Sequence, residues 1–364
     1  MPLTSDPRPE RRDSLIRLLQ QHKAQAIAVT HLPNVRYLCG FTGSNALLLV
    51  TGRESLLFTD PRYDIQAGQE SDVPVRVVRG ALWTEAAKEI RRRRLFRLAL
   101  EADKVSHADW DAIGTHIGAR ANLQPTQGLV EALRAVKSPD ELAKIRHSVM
   151  LNSQALELTL PLLKPGMTEL EVAAELDYRM RRLGAEGTAF ETIVACGRRS
   201  ALPHARPTSE RLKNNRLLLI DMGASLEGYM SDMTRVFHLG KPGRKVSALY
   251  NMVLEAQLAA IAAVRPGAAC GEVDSAARET LRRHGHDQFF THSTGHGLGL
   301  EIHEGPRLGA KVESVLLPGM VVTIEPGVYL EGFGGIRIED TVLVTETGVE
   351  VLTPSTKEFL EIAS

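Results

Sequence analysis

The sequence predicts two domains, an α/β domain in its first part and an α+β domain with an internal duplication in the rest. Short apolar runs alternate with amphipathic segments up to about residue 130, which is typical of an α/β fold. A helix-capping signal follows at Ser138, and beyond it a pattern of two helices and a hairpin occurs twice. We therefore expect the first domain over residues 1–130, a linker over 131–137 and the second domain over 138–364.

The composition is that of an ordinary globular protein. The chain has 364 residues with 43% apolar side chains, and its 44 Lys and Arg residues balance 44 Asp and Glu residues. This neutrality argues against binding nucleic acid through phosphate neutralisation, and no apolar stretch approaches the ~20 residues that span a bilayer. The polar N-terminus lacks a secretory signal, and three isolated cysteines (Cys39, Cys196 and Cys270) suit a reducing compartment. We expect a cytoplasmic protein with no membrane or nucleic-acid partner.

The first domain is predicted to contain five strands and four helices. Apolar runs indicate strands at residues 26–30, 46–50, 55–59, 75–78 and 95–101. Amphipathic patterns indicate helices near residues 12–22, 62–69, 83–93 and 106–117. The glycine patterns of nucleotide-binding loops do not occur in this part of the sequence, so nucleotide binding is not expected.

Two capping boxes open the second domain. Ser138-Pro139-Asp140-Glu141 predicts the start of a long helix that ends near Leu163, before Lys164-Pro165-Gly166. Thr168-Glu169-Leu170-Glu171 begins the next helix in the same way.

The second domain then repeats itself. Pro165-Gly166, Glu171-Val172 and Arg181-Arg182 recur at the same spacing as Pro266-Gly267, Glu272-Val273 and Arg282-Arg283. Further matches join IDMGASLEGY (220–229) to IEPGVYLEGF (324–333), and His204-Ala-Arg-Pro207 to His303-Glu-Gly-Pro306. Because the matches keep the same order, they predict a duplicated helix–helix–hairpin unit.

Each predicted hairpin carries two acids. Asp221 and Glu325 end the apolar strands LLLID and VVTIE, and Asp232 and Glu339 lie on the returning strands. Two hairpins related by a pseudo-twofold axis would bring all four carboxylates to one interior point. Burying four unneutralised carboxylates costs several kcal/mol of solvation for each ion, whereas two divalent cations balance the charge. Oxygen ligands favour manganese, cobalt, zinc or magnesium.

A histidine-rich segment, THSTGHGLGLEIHEGP, precedes the second predicted hairpin. Its His296 would supply a nitrogen ligand, and its glycines allow close approach of the backbone to a crowded site. Taken singly, an acid at a strand end is more often a cap or turn residue, and a histidine in an apolar segment more often packs in a core. The metal-site interpretation therefore depends on the whole set of duplicated acids and clustered histidines.

These motifs resemble those of the pita-bread metallopeptidases, which include proline-specific aminopeptidases and dipeptidases. The matching segments are ALPHARP, LLLIDMGASLEGYMSDMTRVF, THSTGHGLGLEIHEGP, LLPGMVVTIEPGVY and GGIRIEDTVLV. In the first domain, HLPNVRYLCGFTGSNALLLV and TDPRYDIQA resemble the creatinase-type N-terminal domain of the proline-specific branch. The resemblance covers essentially the whole chain. It implies an α/β N-terminal creatinase-like domain and an α+β pita-bread catalytic domain with internal pseudo-twofold duplication.

The resemblance also implies a set of metal ligands. Asp221 and Asp232 would hold the first metal, with Asp232 bridging, and His296 and Glu325 would hold the second. Glu339 would bridge both. Two divalent ions per chain are expected, with manganese preferred and cobalt or zinc as alternatives. Creatinase-like members lack this set and use no metal, so the intact acids argue against that subgroup.

The implied reaction is hydrolysis of the peptide bond that precedes a proline. A water or hydroxide between the two metals would be the nucleophile, and Glu325 would pass its proton to the leaving proline nitrogen. His292 and His303 would stabilise the oxyanion or position the scissile carbonyl. His204 would contact the proline side of the substrate, and Arg337 would steady the metal cluster and the substrate.

Three functions fit these motifs. An Xaa-Pro aminopeptidase releases the first residue from short peptides with proline in second position, whereas an Xaa-Pro dipeptidase acts only on dipeptides. A non-catalytic pita-bread binding protein is the third, and the complete ligand set argues against it. We also expect a homodimer.

The aminopeptidase is favoured because the motifs offer no evident group for a free carboxylate after proline. A strict dipeptidase needs an Arg or Lys there. Arg337 is two residues before Glu339 and therefore committed to the metal site. The other candidates lie in a loop whose direction the sequence does not reveal: Arg198, Arg199 and Arg206.

Overall fold

A computed structural model of the chain describes residues 6–118 and 121–362. The chain divides into two compact units, residues 1–134 and 135–364. The division lies inside the segment predicted as a linker, and most of that segment is helical, since helix α6 runs from Leu129 to Ala135. A helix of seven residues is too short to give a clear amphipathic period, which explains why the sequence pattern did not reveal it.

The first unit is a six-stranded mixed sheet with helices. Its strands are β1 (Ala26–Val29), β2 (Ala46–Thr51), β3 (Ser55–Thr59), β4 (Val75–Val77), β5 (Arg97–Glu101) and β6 (Asn122–Thr126). Its helices before α6 are α1 (Arg8–Gln21), α2 (Leu32–Cys39), α3 (Asp64–Glu70), α4 (Leu82–Arg92) and α5 (His107–Ile117). The sheet order is β4-β3-β2-β1-β5-β6, with β1 and β5 parallel and β1 and β2 antiparallel.

The five predicted strands and four predicted helices of this unit are present, and besides α6 two further elements were not foreseen. Helix α2 begins with a proline in its first turn and ends at Gly40, which adopts a φ of 86°. Strand β6 contains Pro125 and lies at the edge of the sheet, where a missing N–H is tolerated.

The second unit contains four helices and fourteen strands in its described part. The helices are α7 (Pro139–Thr159), α8 (Glu169–Arg182), α9 (Arg244–Ala263) and α10 (Cys270–Arg283). The strands up to the third helix are β7 (Gly187–Thr188), β8 (Ile193–Cys196), β9 (Arg216–Met222), β10 (Ala224–Leu226), β11 (Tyr229–Met230) and β12 (Met233–Leu239). The remaining strands are β13 (Gly295–Gly297), β14 (Glu304–Leu308), β15 (Val321–Ile324), β16 (Gly327–Leu330), β17 (Gly334–Arg337), β18 (Asp340–Val344), β19 (Val349–Val351) and β20 (Glu361–Ile362).

The predicted duplication is visible as two successive units of two helices and a hairpin. Helices α7 and α8 precede the first hairpin, in which β9 pairs antiparallel with β12, and helices α9 and α10 precede the second hairpin, in which β15 pairs antiparallel with β18. Both predicted capping boxes are formed, by Ser138 with Glu141 and by Thr168 with Glu171. The hairpins sit in two sheets, of order β20-β12-β9-β8 and β14-β13-β15-β18-β19.

Helix α9 belongs to the hydrophobic core of the second unit. Within the described residues, it is the one helix long and apolar enough to cross a membrane by length and composition. Its buried side chains, including Leu249, Val253 and Ala260, pack in the same cluster as Ala277 of α10 and Val322 of β15. A core helix meets the same criteria as a span, so this helix is explained by its packing.

Candidate active site

All nine residues proposed from the sequence line one cavity of about 660 Å³ in the second unit. Asp221 lies near the end of β9 and Asp232 directly before β12, so the first hairpin supplies two acids. Glu325 follows β15 and Glu339 precedes β18 in the second hairpin. The four histidines and the arginine come from five other positions around the cavity: His204, His292, His296, His303 and Arg337.

The closest group of potential metal ligands consists of Asp232, His296 and Glu339. Their ligand atoms all lie within 4.8 Å of one another. His296 Nε2 is 3.6 Å from Asp232 Oδ2 and 3.5 Å from Glu325 Oε1, so Glu325 adjoins the same group. The two acids expected to bridge the metals are thus beside the histidine expected to bind one of them.

Asp221, which lines the same cavity, has one carboxylate oxygen without a hydrogen-bond donor in the described chain. Its Oδ2 accepts a hydrogen bond of 2.6 Å from Arg337 Nη2. Its Oδ1 is buried and has no hydrogen-bond partner within residues 6–118 and 121–362. A buried carboxylate oxygen without a donor is costly, and a bound cation would satisfy it. The donor set of four carboxylates and one imidazole therefore fits two hard divalent ions.

Burial and mutual repulsion disfavour the charged forms of these acids. Burial is the largest cause that raises the pKa of Asp232 well above its usual value, with repulsion from Glu339 next. Burial likewise raises the pKa of Glu339, and it raises the pKa of Glu325 to about 8. Arg337 offsets only part of this repulsion. Positive charge bound at the acids would relieve it.

His296 is held neutral in this setting. Burial lowers the pKa of His296 to about 4, and its Nδ1 lies 3.0 Å from the Gly297 carbonyl oxygen. A carbonyl oxygen can only accept a hydrogen bond, so Nδ1 carries the hydrogen and donates it, and Nε2 keeps its lone pair toward Asp232 and Glu325. A neutral imidazole oriented through its second nitrogen is the form that binds a metal.

Arg337 is completely engaged by the protein around it. Its Nε donates to Thr234 Oγ1 (3.0 Å), Nη1 donates to Tyr329 Oη (2.7 Å) and to the Pro203 carbonyl, and Nη2 donates to Asp221. The side chain is buried. Arg337 thus binds one of the four acids, Asp221, and these hydrogen bonds include no contact that would serve the substrate; both predicted roles of Arg337 stay predictions.

His292 is similarly committed on both ring nitrogens. Nδ1 lies 2.9 Å from the Ser293 carbonyl, and Nε2 lies 2.8 Å from Tyr329 Oη, which also accepts from Arg337. Since Tyr329 accepts from Arg337, it can donate its own proton to His292. Burial lowers the pKa of His292 to about 4, consistent with a neutral ring.

His303 and His204, in contrast, are exposed to the cavity. The centre of the His303 ring lies 4.4 Å from that of His296.

The two hairpins hold one another's acids. Thr234 of the first hairpin donates to Glu339 Oε2 of the second at 2.6 Å. Thr341 of the second hairpin donates to the backbone carbonyl of Asp232 in the first at 2.9 Å. Each threonine is two residues beyond the acid of its own hairpin, so the two contacts are related by the internal duplication.

A buried ion pair between Arg235 and Asp340 lies next to Glu339 and fixes its backbone. Arg235 donates to Asp340 Oδ1 at 2.7 Å and to the backbone carbonyl of Glu339. Asp340 Oδ2 accepts from Gln257 (2.8 Å) and from Lys357 (2.6 Å). Arg235 and Asp340 belong to different hairpins, so this pair fixes the base of one against the other.

Sequence reasoning missed the residues that orient the proposed ligands, Thr234 and Tyr329, and the cavity arginine Arg307. Thr234 pairs directly with Asp221 in the β9–β12 register, and a hairpin alignment would have found it. Tyr329 is four residues after Glu325 in the segment EPGVY. Arg307 directly follows HEGP, lines the cavity and makes no ion pair with any residue that the structure describes.

Comparison with known proteins identifies both units. The model of metallopeptidase family M24 matches residues 143–346, and that of the creatinase/prolidase N-terminal domain matches residues 11–136. The Xaa-Pro dipeptidase of Pyrococcus horikoshii is 34% identical over 359 residues, which cover 96% of this chain and 99% of that protein.

Solved structures agree over nearly the whole length. An Xaa-Pro dipeptidase from Bacillus anthracis has a TM-score of 0.94 and 36% identity, covering 97% of this chain and 99% of its own. An X-Pro aminopeptidase from Thermotoga maritima has a TM-score of 0.88 and 38% identity, covering 94% and 99%. These findings confirm the predicted two-domain fold and the predicted enzyme class, a divalent-metal peptidase that acts at proline. The chain belongs to metallopeptidase family M24, in the proline-specific branch that carries a creatinase/prolidase N-terminal domain.

Proposed function

We propose that the enzyme hydrolyses the Xaa-Pro bond of short peptides with two manganese ions. The five proposed ligands are Asp221, Asp232, His296, Glu325 and Glu339. The observation that carries this proposal is the Oδ1 of Asp221, which has no hydrogen-bond partner among the described residues, in the same cavity as acids whose pKa values burial and repulsion raise. Four carboxylates balance two divalent ions, and predominantly oxygen ligands suit manganese, with cobalt or zinc as alternatives.

When bound, the two ions supply Lewis acidity and a water of lowered pKa. Glu325 then serves as the proton carrier. Thr323 donates to Glu325 Oε1 at 3.3 Å and fixes its rotamer. The proton goes from Glu325 to the proline nitrogen, which leaves as a secondary amine.

The histidines orient the peptide. His303, exposed to the cavity, donates a hydrogen bond to the scissile carbonyl oxygen, and His204 contacts the proline side. His292, whose nitrogens face Ser293 and Tyr329, keeps the Tyr329–Arg337–Asp221 chain in line. Phe190, Ile193 and Ile302 form the apolar wall for the proline ring. Such a pocket suits a tertiary amide, which lacks the N–H that general peptidases grip.

Arg307 supports the dipeptidase as the preferred form of this activity. Its guanidinium lines the cavity without an ion-pair partner in the described chain, so it is available to grip the free carboxylate of an Xaa-Pro dipeptide. Arg199 is less suitable because Glu169 binds it at 3.0 Å, and Arg206 pairs with Glu191 at 3.2 Å. The sequence argument for an aminopeptidase assumed that no such group existed.

The size of the cavity favours the aminopeptidase as the second candidate. About 660 Å³ is in the middle of the range for pockets that hold drug-sized ligands, so residues beyond proline fit as well.

The rates of hydrolysis of Xaa-Pro and of Xaa-Pro-Xaa-Xaa, with Mn²⁺ supplied to metal-free protein, distinguish the dipeptidase from the aminopeptidase. A dipeptidase that binds the carboxylate through Arg307 cuts Xaa-Pro but not Xaa-Pro-Xaa-Xaa, and Arg307→Ala lowers its kcat/KM on the dipeptide by about 10- to 100-fold. Comparable rates of the unaltered enzyme on both substrates would refute the dipeptidase and support the aminopeptidase.

We also propose that the enzyme is a cytoplasmic homodimer. All three cysteines are buried thiols, which suits a reducing compartment. The dimer follows from the resemblance to the proline-specific branch, and light scattering tests it by the expected mass of twice 39.9 kDa.

A further inference from the structure

A buried ion pair that the proposed mechanism does not use lies beside the cavity. Lys137 Nζ is 3.2 Å from Glu304 Oε2, and the side chains are 1% and 6% exposed. Lys137 also donates to the Ala135 carbonyl at 3.3 Å. Glu304 lines the cavity, directly after His303 in the chain. A charge pair this deeply buried is retained only where both partners are fixed.

The backbone of Lys137 is fixed to the second hairpin. Its N–H donates to the Gly319 carbonyl at 2.9 Å, and Val136 forms an isolated β-bridge with Met320. Met320 leads into β15, the strand that ends before Glu325. The backbone of Lys137 is therefore attached at the beginning of β15, and the proposed metal ligand Glu325 directly follows the end of that strand.

The carboxylate of Glu304 shapes the loop of residues 299–304. Its Oε1 accepts a hydrogen bond of 3.1 Å from the Glu301 N–H. A Cβ on Gly299 would lie 2.8 Å from both carboxylate oxygens, so the loop closes tightly around this group. The Gly299 carbonyl in turn accepts from the Met230 N–H of the first hairpin at 2.7 Å. Ile302 and His303, at the end of this loop, both line the cavity.

We propose that Lys137 is a positioning residue that holds the substrate-facing loop 299–304 through its ion pair with Glu304. This inference rests on the proposed function, since it assigns Ile302 and His303 to the substrate. Lys137 itself need not touch the peptide. Removing its ammonium abolishes the contact between Lys137 Nζ and Glu304 Oε2, and the loop then shifts as water takes the place of that buried cation. The metal-binding acids lie on other strands and keep their places.

The experiment measures kcat and KM on Xaa-Pro and the metal content for Lys137→Met, Glu304→Gln and the double variant. Lys144→Met is the matched control, because Lys144 forms a pair of the same 3.2 Å length with Asp140 on the surface of α7. Lys137→Met should lower kcat/KM by about 10- to 100-fold at a temperature where it is fully folded, with two metals still bound. The control should match the unaltered protein.

The double variant distinguishes positioning from independent effects. If Lys137 acts through Glu304, the double variant loses no more activity than the worse single variant. Multiplied losses, unchanged kcat/KM in Lys137→Met, or loss of metal from that variant would each overturn the proposal. Should Lys137→Met fail to fold, Lys137→Arg, which keeps the charge, must retain more activity than Glu304→Gln. Failure of the unaltered enzyme to cut Xaa-Pro would instead refute the proposed function.

Discussion

Arg337 and Asp221 form the shortest of the hydrogen bonds that Arg337 makes, at 2.6 Å from Nη2 to Oδ2. This bond occupies one carboxylate oxygen and leaves Oδ1 of Asp221 without a partner among the described residues. The arginine thereby holds Asp221 through one carboxylate oxygen only. Its planar guanidinium is itself fixed, because Nε and Nη1 are anchored on Thr234 and Tyr329.

Arg337→Lys should therefore impair the enzyme although it keeps the charge. A lysine ammonium is a point charge and cannot bind Asp221, Thr234 and Tyr329 in one plane. We expect metal affinity or activity to fall roughly 10- to 100-fold, measured by metal titration and by hydrolysis of Xaa-Pro. Arg265→Lys, in an exposed pair with Glu272, is the control. Full metal affinity in Arg337→Lys would show that the fork is dispensable.

Removal of metal should abolish activity. Four carboxylates need about two divalent ions per chain for charge balance, so activity should return as two equivalents of Mn²⁺ are added. Elemental analysis of the reconstituted protein measures the stoichiometry. An enzyme that stays active after exhaustive chelation, with no metal detected, would contradict the dinuclear site.

Asp232→Ala or Glu339→Ala should cost more activity than His204→Ala. The two acids and His296 form the tightest ligand group, whereas His204 lies at the exposed wall of the cavity. Losing a bridging carboxylate disturbs both ions, and losing a substrate contact disturbs only alignment. Metal content and kcat/KM are compared for all three variants. Retained metal in Asp232→Ala together with lost metal in His204→Ala would reverse the assigned roles.

Glu89→Gln should destabilise the first unit at neutral pH but not in acid. Hydrogen bonds from Arg92 and Arg93 lower the pKa of Glu89 to about 2, and its side chain is only 2% exposed. A carboxyl group with a lowered pKa in the folded state stabilises the fold above its unfolded pKa, and this contribution disappears as pH falls toward the folded value. The free energy of unfolding should drop by about 1–3 kcal/mol near neutral pH.

Urea unfolding at about pH 7 and about pH 3.5 measures the effect, which should shrink at the lower pH. Glu85→Gln is the control, since Glu85 pairs with Lys88 on the surface and should change stability by less than about 1 kcal/mol. A loss for Glu89→Gln that is as large in acid as at neutral pH would contradict the argument.

The sequence predicted the fold and the composition of the site because both rest on local signals. Capping boxes at Ser138 and Thr168 fixed the helix starts, and strand-end acids repeated in register indicated the converging hairpins. The hydrogen bonds of Thr234 and Tyr329 could not be predicted from the sequence. They depend on how the two hairpins are placed against each other and on the direction of each side chain. Arg307 was missed as well, because the sequence pattern did not reveal strand β14 (Glu304–Leu308), on which it lies, or the cavity that this strand lines.

The contacts of Thr234 and Thr341 across the two hairpins mean that the two duplicated halves cannot evolve independently. In a duplicated protein each copy is ordinarily free to accumulate its own changes. Here a one-residue slip in the first hairpin would withdraw a hydroxyl from an acid of the second, and the reverse slip would release Asp232. A substitution that shifts one hairpin therefore also breaks a hydrogen bond to the other hairpin. We expect such substitutions to be tolerated only with a compensating change in the other half.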